Sequence, residues 1–175
     1  MSYDYAYRRI KTSSTGYRKI EATITLPSLN DVALGIGAAL YEYVGCDSPT
    51  FDFEFGFGLT GESTQYHLYR SIYVGGNDWQ WISGYTFEPG STYRLLIAAE
   101  DGYIKCYVYN SSGTLLYYNE FTVRGIRYDG LGKGLGVSRA YWFLQEVQLT
   151  LIITDGQTRW LERLQLLLML LLLTA

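Results

Sequence analysis

Residues 51–57 read Phe-Asp-Phe-Glu-Phe-Gly-Phe, a strict alternation that only an extended strand satisfies. Successive side chains of a strand point to opposite faces. Phe51, Phe53, Phe55 and Phe57 therefore share one face, fit for a core. Asp52 and Glu54 share the other, with Thr50 before them. That second face suits acid chemistry or a polar ligand, so one strand proposes a fold class and a site together.

The neighbouring segments repeat the pattern. Residues 17–26 alternate Ile20, Ala22, Ile24 and Leu26 against Lys19, Glu21, Thr23 and Thr25, the signature of a half-buried antiparallel strand. Residues 32–44 read as a longer extended run with Gly35 and Gly37 at a bulge or close contact, and Asp47-Ser48-Pro49 reads as a turn. Residues 65–74 set His67, Tyr69 and Ser71 against Tyr66, Leu68, Arg70 and Ile72. Gly75-Gly76-Asn77-Asp78 then turns into Trp79-Gln80-Trp81-Ile82. Asp101-Gly102 and Asn110-Ser111-Ser112-Gly113 mark two hairpins between runs at 92–99, 103–109 and 115–123. A glycine-rich connection at 130–136 precedes a last strand at 143–153. About ten short strands without a long helix predict an all-β antiparallel jelly-roll sandwich. Thr158 is placed to cap a short terminal helix through Trp160 and Leu161. The expected division is a sandwich over 1–155 and a leucine-rich helical tail over 156–175.

Composition excludes several functions. A formal charge of −3 with no basic cluster argues against nucleic-acid binding. One histidine, two cysteines and no Asp-x-Asp-x-Asp-Gly loop leave no metal-ligand pattern, and no cofactor motif is present. Gly132-Lys133-Gly134 lacks the spacing of a phosphate loop and reads as a turn. Cys46 and Cys106 are open to two readings, one disulfide or two buried thiols. The amino terminus has no apolar core of a signal peptide. Residues 164–175 hold eight leucines in twelve positions; as a helix they span about 18 Å, short of a hydrocarbon core of about 30 Å. The run from Leu164 to Leu173 is thus a candidate for packing on the sandwich, for homo-oligomer formation or for contact with a membrane surface.

Two segments carry a resemblance. Phe87-Glu88-Pro89-Gly90-Ser91-Thr92-Tyr93-Arg94-Leu95 followed by Asp101-Gly102-Tyr103-Ile104-Lys105-Cys106-Tyr107-Val108 resembles the late strands of concanavalin A-like lectin/glucanase sandwiches. Tyr17 to Pro27 resembles an early strand of the same superfamily, and the chain looks most like its small bacterial members. The resemblance implies a polysaccharide or glycan partner and an extracellular or cell-surface setting. Some members are retaining glucanases with Glu-x-Asp-x-Glu on one strand. Asp52 then matches the central acid and Glu54 the acid/base, while Thr50 stands in the nucleophile slot.

That departure moves the reading from catalysis to binding. Asp52 and Glu54 lie about 6–7 Å apart along a strand, a spacing suited to hydrogen bonding more than to flanking a glycosidic bond. Glu62, Glu120 and Glu146 are the acids offered as a second carboxyl. Trp79 and Trp81 alternate onto one face, where aromatic rings stack on sugars or fill a core. The leading expectation is a non-catalytic glycan-binding face formed by Asp52, Glu54, His67, Trp79 and Trp81. A glycan or peptide hydrolase using Asp52 and Glu54 is the alternative, and self-assembly through the tail is a further one.

Overall fold

Among the described residues the chain forms twelve strands and one short turn of 3-10 helix. The computed structural model describes residues 7–11, 19–48, 51–100, 102–123, 135–140, 148–154 and 159–165. The strands are β1 (Tyr7–Lys11), β2 (Lys19–Thr25), β3 (Ala39–Ser48), β4 (Phe51–Thr60), β5 (Tyr66–Tyr73) and β6 (Asn77–Phe87). They continue as β7 (Thr92–Glu100), β8 (Tyr103–Asn110), β9 (Leu115–Thr122), β10 (Leu135–Ala140), β11 (Gln148–Thr154) and β12 (Arg159–Gln165). All pairings are antiparallel, in two six-stranded sheets ordered β1-β10-β3-β4-β5-β6 and β12-β11-β2-β7-β8-β9. The sheets pack face to face, as the sandwich reading expects.

The phenylalanine face of β4 is the centre of the core. Phe51, Phe53, Phe55 and Phe57 are each 3% exposed or less. Burying a side chain of that size contributes about 1.5–3 kcal/mol. Phe57 meets the rings of Phe87 at 4.9 Å and Tyr93 at 5.5 Å. Phe55 stacks on Tyr117 at 5.7 Å, and Phe53 meets Phe121 at 6.0 Å. β4 thereby ties its own sheet to β7 and β9 of the other. Ile20, Ala22 and Ile24 supply the facing side from β2, with Ile97, Ile104 and Val108 from β7 and β8.

Three local expectations change. The run at 32–44 is not one strand: a 3-10 turn (Leu29–Asp31) and a turn at Gly37, whose φ is +78°, precede β3. A glycine there takes a left-handed conformation that costs other residues strain. Strand β3 itself runs through Asp47 and Ser48 instead of turning there. The segment expected to open a helix at Thr158 contributes β12, which pairs with β11 across the full length of both strands. Helical spacing of Trp160, Leu161 and Leu164 is overridden because β11 offers an antiparallel partner across a four-residue connection. The leucine run at 166–175, and with it the expected tail helix, oligomer contact and membrane contact, lies outside the described residues.

Cys46 and Cys106 are buried on the core side and not joined by a disulfide, and burial, with Cys46 as a lesser cause, pushes the Cys106 thiol well up. The core-facing side of β3 also carries a buried acid, Glu42, between Leu40 and Val44. Its cross-strand partner on β10 is Arg139.

Candidate functional site

Cross-strand partners in an antiparallel sheet share a face. The outer face of the first sheet can therefore be built row by row from its register. One row holds Gly45, Glu54, Ser71 and Trp79 from β3, β4, β5 and β6. The row on one side holds Tyr43, Gly56, Tyr69 and Trp81, and the next holds Tyr41, Gly58, His67 and Thr86. On the other side stand Asp47, Asp52, Tyr73 and Asn77. Asp52, Glu54, His67, Trp79 and Trp81 are thus brought to one face, and Glu54 lies in the middle of it.

Aromatic rings dominate this face. Trp79 and Trp81 meet edge to face at 4.8 Å. Tyr69 stacks on Trp79 at 5.8 Å and meets Tyr41 edge-on at 4.9 Å. Tyr43 closes on Tyr69 at 6.1 Å, and Tyr41 stacks with Trp81 at 6.1 Å. Pairs at these distances and angles add about 0.5–1.5 kcal/mol beyond area burial. Tyr69 ends up 1% exposed although it belongs to the outer face. Trp81 stays 38% exposed and Trp79 half-buried, so the wall keeps open ring surface.

Two glycines on β4 make this packing possible. A Cβ on Gly58 would lie 2.6 Å from Cη2 of Trp81 and 3.0 Å from Cδ1 of Tyr41. A Cβ on Gly56 would lie 2.1 Å from the Glu42 carbonyl oxygen and 2.5 Å from Cα of Tyr43. At Gly58 the rings descend onto strand backbone where a side chain would hold them off, and at Gly56 the β3 backbone does. Gly45, the partner of Glu54, is in turn the partner of Gly136 on β10. Glu54 thus has Ser71 on one side and two glycine positions in line on the other.

The electrostatics centre on the half-buried Asp52 and Glu54. Burial raises the Tyr69 phenol well above its ordinary pKa, and the charge of Glu54 raises it further. Tyr69 therefore stays a neutral hydroxyl beside a carboxylate. His67 is a lesser partner. Its Nε2 lies 3.1 Å from Oγ of Ser63, while that hydroxyl donates to the Gln65 carbonyl at 2.7 Å. With its proton given to Gln65, Ser63 accepts from His67 and is not activated by it. The imidazole also lies edge-on to Trp81 at 6.1 Å, so it braces the end of the aromatic wall.

Of the acids offered as a second carboxyl, Glu62 follows the far end of β4, about 20 Å along the strand from Glu54. Glu120 belongs to β9 in the other sheet, and Glu146 lies outside the described residues. Among the described residues no three His, Cys, Asp or Glu are grouped to hold a metal ion. Sequence reasoning missed Tyr41, Tyr43 and Tyr69 as parts of the site. The available signals were Tyr-Glu-Tyr at 41–43 and Gly-Phe-Gly at 56–58, both with the period of a strand.

The fold has solved counterparts. Scytalido-glutamic peptidase with a transition-state analog inhibitor is similar at a TM-score of 0.68 and 15% identity, over 94% of this chain and 89% of that one. The same peptidase with a peptide-based transition-state analog is similar at 0.65 and 16% identity, over 89% and 83%. SCP-B, a member of the Eqolisin family of peptidases in a complex with the tripeptide Ala-Ile-His, is similar at 0.62 and 15% identity, over 89% and 82%. What these chains share is the fold. No protein-family model matches the chain, and no curated protein matches it in sequence.

Proposed function

We propose that the outer face of the first sheet is the active site of a hydrolase acting on peptides, with Glu54 as its acid/base. The observation that carries this reading is the setting of Glu54. It is half-buried between Gly45 and Ser71, in the row of Trp79 and one row from Tyr69 and Trp81. The fold likeness to peptidases that hold peptide or transition-state ligands supports a peptide over other polymers. In this reaction Glu54 takes a proton from a water molecule as the water oxygen bonds to the peptide carbonyl carbon. The carbon–nitrogen bond then breaks as Glu54 returns the proton to the leaving amine. Asp52 is a neighbouring carboxylate on the same strand face, and the wall of Tyr41, Trp79 and Trp81 holds the substrate by ring contact.

Incubation of the protein with a peptide library, read by mass spectrometry, tests the reading. Wild type is expected to cleave a subset, and Glu54→Gln to lower kcat by about 10²–10⁴-fold with the fold intact. Turnover unchanged in that variant removes Glu54 as the acid.

A second reading is favoured by one observation, the open ring surface of Trp81 on the face that also carries Asp52 and Glu54. It is non-catalytic binding of a glycan stacked on Trp79 and Trp81. In that case a glycan array detects wild type, Trp81→Ala loses the signal, and no peptide is cut.

A further inference from the structure

Strands β6 and β9 are each the last strand of their sheet among the described residues. They lie at the same side of the sandwich, where Tyr85 of one meets Tyr117 of the other edge-on at 4.8 Å. The two sheets part along this side. Register makes Asp78, Gln80 and Asn119 core-facing, as partners of Ile72, Arg70 and Cys106, yet all three are exposed. Strand β6 also bulges here. His67 pairs with Thr86 and Leu68 with Ile82, so Ser83, Gly84 and Tyr85 stand outside the ladder. Gly84, with φ of +84°, turns the chain, and the exposed Tyr85 ring comes to stand at the mouth of the opening.

Polar groups converge behind Tyr85. Arg70 of β5 is largely buried, with its guanidinium 5.3 Å from the Phe121 ring centre. Asp78 engages only its Nη1, through a carboxylate oxygen at 2.9 Å and its carbonyl oxygen at 3.1 Å. The Nε and Nη2 side of the fork is left to a ligand. Oδ1 of Asn119 accepts from the Glu120 N–H at 2.8 Å, which leaves the amide nitrogen to donate. Tyr117 is 4% exposed, and its buried hydroxyl has no hydrogen-bond partner. Burial pushes that phenol up, while Asn119 and Arg70 oppose the rise, so both lie near its oxygen. A buried hydroxyl left unmet has given up its hydration without return. Three groups able to donate, one of them a guanidinium, suit a carboxylate. We infer that this opening is a binding cleft for a small aromatic carboxylate. Its carboxylate group meets Arg70, Asn119 and the Tyr117 hydroxyl, and its ring rests against Tyr85. The cleft lies on the opposite side of β5 and β6 from the face of Glu54 and does not depend on the hydrolase reading.

Titration of the full protein with phenylacetate and its neutral counterpart phenylacetamide, read by saturation-transfer NMR, tests the cleft. Phenylacetate is expected to bind about fivefold tighter than the amide, because a guanidinium holds a carboxylate more strongly than a neutral acceptor. Tyr117→Phe and Asn119→Asp, each checked for folding by circular dichroism, are expected to weaken phenylacetate by about fivefold or more. Asn119 is exposed, so its variant keeps the test open if the core substitution misfolds. Glu54→Gln and Trp81→Ala, on the other face of the sheet, should leave the affinity unchanged. Without any probe, Tyr117→Phe is expected to raise the thermal midpoint, since it removes an unmet hydroxyl. A lowered midpoint would mean that a water already satisfies that hydroxyl, and overturns the inference. Equal affinity for acid and amide overturns it as well, as does an affinity unchanged in both Tyr117→Phe and Asn119→Asp. Loss of binding in Glu54→Gln would move the probe to the outer face, and no binding at about 10 mM phenylacetate would leave no cleft; either result sinks the inference.

Discussion

The outer faces of the two sheets begin from the same kind of sequence, tyrosine alternating with polar residues, and end as different surfaces. On the first sheet the rings of Tyr41, Tyr69, Trp79 and Trp81 interlock above Gly58, and Tyr69 is sealed from solvent. On the second, Tyr107 stacks with Tyr109 at 6.2 Å and meets Tyr118, which remains 44% exposed. Charges serve there as the local partners. Arg94 lies 4.0 Å over the Tyr109 ring and 3.0 Å from Glu21, which Lys19 also approaches at 3.4 Å. Lys105 binds Glu100 at 2.7 Å, and Tyr118 donates to Glu120, which pushes its pKa up to about 12. What separates the faces is the residue beneath the rings. Gly58 on β4 lets aromatics pack onto backbone, whereas Tyr107 and Tyr109 stand opposite Leu96 and Arg94 of β7 and keep to the surface, where ion pairs are worth little.

The largest effect expected from this contrast comes from truncating one tyrosine on each face. Tyr69→Ala should cost about 3–5 kcal/mol of unfolding free energy, as for other buried aromatics. Tyr107→Ala should cost well under half of that, and urea denaturation of both variants checks the difference. Equal losses would mean that the two faces are packed alike. The glycines give the next largest effect. Gly56→Ala forces β3 backbone aside and should cost about 1–3 kcal/mol. Gly58→Ala meets ring atoms instead, so it should disturb the fold less and shift the tryptophan emission as Trp81 lifts away.

The smallest effect is a pH dependence. Tyr66 and Tyr69 have phenols raised by burial, so above the ordinary tyrosine pKa of about 10 the unfolded chain loses protons that the folded chain keeps. Stability contributed by these groups is present below that pH and declines as the pH rises beyond it. Tyr69→Phe should flatten part of the decline between about pH 10 and 12 in thermal melts, and an unchanged slope would place its cause elsewhere.

Much of this architecture was legible in the residues. The alternation at 51–57, at 20–26 and at 66–72 placed core and surface correctly, because a half-buried strand imposes a period of two that any chain must spell out. The Asp101-Gly102 hairpin was readable because Gly102 takes φ of +86°, which a turn of that kind demands. Less legible was the site. Asp52 and Glu54 announced one face, but the partners that give Glu54 its setting come from Gly45, Ser71 and Tyr69 on two other strands. Their adjacency depends on register, and register is a property of pairing rather than of any one strand. Tyr69 was assigned to the same face as His67 and Ser71, yet nothing local in residues 65–74 reports that four rings from other positions cover it.

The sequence by itself determined which side of each strand is apolar, and so that the chain buries two sheets against each other. Pattern carries that information because the hydrophobic effect acts on each strand separately. Only the tertiary structure decided that, on the face opposite those phenylalanines, rings from β3, β5 and β6 pack against one another in the same sheet as Glu54. That outcome required glycines on β4 to meet rings from β3 and β6, and contacts between strands distant in the chain are set by how the sheets assemble.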